Sequence, residues 1–64
     1  MCLSTVYALQ GAEKKLLCKN VAAVSLRDDG SLVFTDIMGI PTVVTGQLEK
    51  IDLMDNFIFV RQAQ

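Results

Sequence analysis

Every apolar run in this chain is cut within a few residues by Gly, Asn, Asp or Lys, and that spacing of breakers confines the fold to short extended segments. The breaks fall at Gly11-Ala12, Asn20, Asp28-Asp29-Gly30, Met38-Gly39-Ile40-Pro41, Gly46 and Asp55-Asn56. Between them the residues are rich in β-branched and aromatic types, and Leu3, Thr5, Tyr7 and Leu9 alternate with Ser4, Val6 and Ala8. Such alternation belongs to a half-buried strand.

The spacing predicts a first strand over residues 2–10, a short return over Lys14–Cys18 and an interior strand over Val21–Leu26. A tight turn at Asp28-Asp29-Gly30 leads into Ser31–Ile37, with Gly30 supplying the positive φ that the turn demands. Thr42–Thr45 resumes β structure and continues past a bulge or corner at Gly46 to Asp52, and Phe57–Val60 forms the last strand. Residues 12–26 admit a competing helical reading, since Glu13, Lys14, Lys15, Leu16 and Leu17 are good helix formers. Asn20 and the β-branched run behind it would cut such a helix to two turns.

The strands and turns together predict an all-β chain of about six strands. They form one small antiparallel curled sheet or SH3-like barrel, a single domain over 1–64. The expected core is Leu9, Val24, Leu26, Leu32, Phe34, Val44, Leu48, Ile51, Ile58 and Val60. Asp36 would share the face of Leu32 and Phe34 at a strand end, where its carboxylate reaches water or caps backbone.

A chain of 64 residues that is 52% hydrophobic, with mean hydropathy +0.41, has more apolar surface than one small body easily hides. A shared interface between copies would use the surplus. No segment approaches the roughly 20 apolar residues of a membrane helix, and no basic region precedes an apolar stretch as in a signal peptide. The expected compartment is cytoplasmic. Six basic and seven acidic residues, with pI ≈ 5.0, suit a solvated surface better than a phosphate-binding one.

There is no histidine, which removes Ser-His and Cys-His nucleophile pairs, the HExxH zinc motif and the commonest metal ligand. An enzyme is not expected. The two cysteines are too few for a disulfide framework and too far apart for a CxxC pair. Cys18 reads as a packing thiol, opposite Thr5 for a two-residue Gly11-Ala12 turn. Cys2 differs because backbone nitrogens beside it lie one chelate ring from its sulfur. Thiolate and nitrogen together can grip one soft metal ion.

The opening Met1-Cys2-Leu3-Ser4-Thr5-Val6-Tyr7, the Gly-bearing turn, the short Val21–Leu26 strand, Asp28-Asp29-Gly30 and the C-terminal Ile51-Asp52-Leu53 with its hydrophobic last strand resemble the CooT family. The resemblance implies a cytoplasmic homodimer that binds Ni²⁺, one per dimer, through the cysteine after the initiator methionine. It implies a metallochaperone or nickel store supplying a nickel enzyme such as carbon monoxide dehydrogenase. Cys2 matches that ligand, and a backbone nitrogen of Met1 or Cys2 would join it. The dimer would be joined partly through strand one. Proteins of this group have also been labelled predicted RNA-binding, but this chain has no basic stripe and reads as lacking an RNP-like aromatic pair. A metal-free interaction module with an incidental Cys2 is the remaining alternative.

Overall fold

The computed structural model describes residues 2–63, and its architecture is six strands and no helix among them. The strands are β1 (Ser4–Gln10), β2 (Glu13–Leu26), β3 (Leu32–Asp36), β4 (Pro41–Val44), β5 (Gln47–Asp52) and β6 (Phe57–Arg61). They form one sheet in the order β4-β3-β2-β1-β6-β5. The curled sheet is therefore as expected, with two differences. β1 and β6 run parallel, and the ladder does not close into a barrel.

The turns follow the local chemistry. Gly11 at φ +61° takes the first central position between Gln10 and Glu13, as a type II′ hairpin turn requires. Gly30 sits at φ +89°, and the Asp29 carboxylate accepts hydrogen bonds from the Ser31 amide and hydroxyl at 2.9 and 2.6 Å. These two bonds hold the Asp29 carboxyl below its ordinary range. Asp36 does cap backbone: one carboxylate oxygen accepts from the amides of Met38 and Ile40, each at 2.9 Å.

The helical reading of residues 12–26 is not realised, and neither is the division into two strands. β2 runs unbroken for 14 residues. Asn20, at φ +56°, bulges the strand where its pairing with β1 slips between Cys18 and Val21, bending it without ending it, and the pairing with β3 slips just beyond, between Val21 and Ala23. Pro41 opens β4 instead of lying in the preceding turn, and as an edge strand β4 tolerates its missing donor. Gly46 is a true corner. With only Thr45 and Gly46 between them, β4 and β5 lie at opposite edges of the sheet, so the chain bends sharply to start the far edge.

The core consists of Val6, Ala8, Val21, Leu32, Phe34, Val44, Ile58 and Val60. Leu32, Phe34, Val44, Ile58 and Val60 agree with the sequence, but Leu26, Leu48 and Ile51 are exposed, and Leu9 and Val24 only half-buried. On β1 the other face turns inward, so Val6 and Ala8 replace Leu9. Both faces of Ser4–Gln10 carry apolar residues, and its parallel partner decides between them: Val6 and Ala8 stand beside Ile58 and Val60 of β6. The outward Tyr7 is covered instead by Phe59, with ring centroids 5.9 Å apart.

Candidate functional site

Register gathers several separate segments at one end of the sheet. Ser4 pairs with Val21 and Val21 with Asp36, while Thr5 pairs with Phe57 and Phe57 with Asp52. Cys2 and Leu3, the 36–40 turn and the 52–56 turn therefore share that end. The sheet is open there, and a groove of about 310 Å³ lies between its strands. Cys2 and Ser4 line it from the start of the chain, Val21 to Val24 from β2, Ile51 and Leu53 from β5 and the turn beyond, and Asn56 and Ile58 from β6 and the residue before it.

Cys2 is an exposed free thiol on this groove, while Cys18 is a half-buried one. A two-residue turn would set Cys18 against Thr5, but the ladder slips between Tyr7 and Val6, and Cys18 pairs with Val6. It packs against the core. Burial first, and the negative charge of Asp36 second, push its thiol pKa up, so Cys18 is a poor thiolate donor near neutrality. The expected packing role fits this placement.

Could the residues present hold a metal ion? Among the described residues no group of three or more Cys, Asp or Glu side chains stands close enough to do so. The chain has no histidine. One chain thus brings one exposed thiolate and the backbone nitrogens beside it, which suits a soft or borderline ion but does not fill its coordination. The Met1 nitrogen expected to join Cys2 lies outside the described residues.

Two features of this end escaped the sequence reading. Leu53 and Met54 project from the 52–56 turn at 81% and 92% exposure, and Met38 at 80% from the 36–40 turn. An apolar pair bracketed by Asp52 and Asp55-Asn56 was the available signal. β1 is also flanked on both edges, by β2 and β6, so another chain can meet it only at its face or at Cys2 and Leu3.

Away from the groove, β6 does carry an aromatic pair, contrary to the sequence reading. Phe57 and Phe59 pack with ring planes tilted by 42° and centroids 4.8 Å apart, and Tyr7 extends the row. The ammonium of Lys14 lies 4.7 Å from the Tyr7 centroid, and that of Lys50 lies 5.6 Å from the Phe57 centroid. Those are cation–π distances.

The family model described as CO dehydrogenase accessory protein CooT matches residues 1–61. The fold is similar to the crystal structure of a protein assigned as CooT from Carboxydothermus hydrogenoformans, with a TM-score of 0.85 over 98% of this chain and 100% of that one. At 19% identity that likeness speaks for the fold. No curated protein sequence matches significantly. Among the described residues no helix is long and apolar enough to cross a membrane.

Proposed function

The chain belongs to the CooT family, and on that premise we propose that it is a nickel-binding homodimer acting as a metallochaperone or store for a nickel enzyme, with CO dehydrogenase the client that the family description suggests. The observation that carries the reading is the exposed Cys2 thiol on an open groove, in a chain where the other thiol is packed against the core. Nickel is cargo here. The protein is not an enzyme on this reading, and it works in the cytoplasm.

Each chain contributes the Cys2 thiolate. With Met1 removed, the Cys2 amine completes a five-membered chelate, and two chains offer two sulfurs and two nitrogens to one Ni²⁺. With Met1 retained, its amine and the Cys2 amide nitrogen serve with the sulfur. Thiolate with strong nitrogen donors suits Ni²⁺, while Zn²⁺ prefers a tetrahedral site and Cu²⁺ binds more tightly by the Irving–Williams order. Selectivity therefore rests on geometry and metal supply. Thiolate formation releases protons, so affinity falls as pH drops below neutral.

Calorimetric nickel titration of the wild type and Cys2→Ser tests this. The wild type should take up one ion per two chains, and the variant should bind at least about 100-fold more weakly with an unchanged far-UV spectrum. Wild-type affinity in Cys2→Ser would sink the reading.

A second reading, a nucleic-acid-binding β module, has the Tyr7, Phe57 and Phe59 row with its two lysines in its favour. The net charge of −1 weighs against it. A salt-dependent shift of single-stranded RNA, lost in Phe59→Ala, would recover it.

A further inference from the structure

The sheet has a second face, turned away from the core and from the Cys2 groove. Val6, Ala8, Ile58 and Val60 point inward, so Tyr7 of β1 and Phe57 and Phe59 of β6 lie on the opposite side. Parallel pairing sets Tyr7 beside Phe59, and the same row runs on to Leu16 of β2 and Lys50 of β5. β1 and β6 are each paired along both edges, so the three rings are fixed on a rigid ladder. They are half-buried, and lysine heads lie over them. The Lys14 ammonium is 4.7 Å from the Tyr7 centroid and 5.9 Å from that of Phe59, and the Lys50 ammonium is 5.6 Å from that of Phe57.

The net charge of −1 does not describe this face. β1, β2, β5 and β6 carry Lys14, Lys15, Lys19, Lys50 and Arg61 against Glu13, Glu49 and Asp52. Two of those carboxylates are engaged: Glu49 accepts from the Arg61 guanidinium at 3.0 and 3.1 Å, and Asp52 from the amides of Met54 and Asp55 at 3.0 and 2.8 Å. Asp28, Asp29 and Asp36 belong to the turns on either side of β3. Among the described residues Lys14 forms no ion pair. The ring row therefore lies in a cationic strip, which is complementary to a phosphate backbone.

We propose, building on the nucleic-acid reading, that this face binds single-stranded RNA. Two or three successive bases stack on Tyr7, Phe59 and Phe57, and the Lys14 and Lys50 ammonium groups leave the rings for the flanking phosphates. An exposed cation–π contact is weak, and base stacking with a charge-assisted bond to phosphate replaces it. The rings reach only unpaired bases, so a duplex is excluded. None of the three rings lines the groove at Cys2, and the strand and a metal ion there occupy separate sites.

The test is fluorescence anisotropy of a labelled oligouridine of about eight nucleotides with the metal-free full chain, Phe59→Leu, Lys14→Gln and Arg27→Gln. Leucine keeps apolar bulk on the face without a ring. Lys14→Gln and Arg27→Gln remove the same charge, the second from the exposed turn before β3. The wild type should bind, about tenfold more weakly at about 200 mM salt than at about 50 mM. Phe59→Leu should lose about tenfold in affinity and Lys14→Gln about fivefold, while Arg27→Gln binds like the wild type. Lys14 is exposed, so its variant decides the matter even where Phe59→Leu changes the far-UV spectrum. Wild-type affinity in a folded Phe59→Leu, equal losses in Lys14→Gln and Arg27→Gln, or a matching duplex bound as tightly would overturn this face while leaving RNA binding elsewhere on the chain. No binding at about 50 mM salt would end both.

Discussion

Cys18 stands directly across the β1–β2 ladder from Val6, a residue with no exposed surface. That pairing sets it four positions along the chain from Cys2. At about 3.3 Å per residue the offset is about 13 Å, well past the roughly 7 Å reach between Cα atoms of a disulfide. The two thiols of one chain therefore serve separate ends: Cys18 the packing, Cys2 the open groove.

Cys18→Ala should accordingly keep full nickel stoichiometry. Losing a half-buried sulfur from the margin of the core should cost about 1 kcal/mol in urea unfolding. Loss of stoichiometric binding with the fold intact would make Cys18 a ligand.

The raised Cys18 thiol also carries a pH signature. Its folded pKa lies above the ordinary 9.0, so the folded state holds the proton more tightly. The stability this group contributes is fully present below about pH 9.0 and is lost as pH rises through the folded value. The urea-midpoint difference between wild type and Cys18→Ala should therefore shrink above that pH. Asp36→Asn removes the neighbouring charge and should bring the thiol part of the way back. In a Cys2→Ser background, Cys18 should then react faster with iodoacetamide in mild alkali.

Gly46 and Gly39 should respond to alanine very differently. At Gly46, with φ +152°, a Cβ would lie 2.7 Å from the Arg61 carbonyl oxygen and 2.9 Å from Val60 Cγ1. Backbone on one side and a core side chain on the other leave no room. Gly46→Ala should cost about 2–4 kcal/mol. At Gly39, with φ +83°, nothing lies within 4 Å, and only the backbone penalty of about 1 kcal/mol remains. Equal melting temperatures for the two variants would contradict the corner assigned to Gly46.

Phe34 is the largest fully buried side chain. Phe34→Ala should cost about 3–5 kcal/mol, a large share of the 5–15 kcal/mol typical of a domain. The expected result by circular dichroism is a chain substantially unfolded at 37 °C. A cooperative wild-type-like melt would mean that Phe34 is not central to the core.

Much of this was legible in the residues themselves. The Gly11-Ala12 and Asp29-Gly30 turns, the Asp36 cap and the inward Leu32 and Phe34 all depend on neighbours within a few positions. Backbone preference and local hydrogen bonds decide such features without the rest of the chain. Tertiary structure decided the remainder. Alternation groups Val6 with Ala8 and Tyr7 with Leu9, but only the parallel alignment with Ile58 and Val60 sends the first pair inward. A pairing slip between Tyr7 and Val6 moves Cys18 by one place, and no local pattern encodes a partner's register. The groove at Cys2 exists because the β1–β2 pair and the β5–β6 pair, distant from each other in the chain, meet at one open end of the sheet. Contacts of that range are chosen by the global packing of apolar faces, which a reading of neighbouring residues cannot supply.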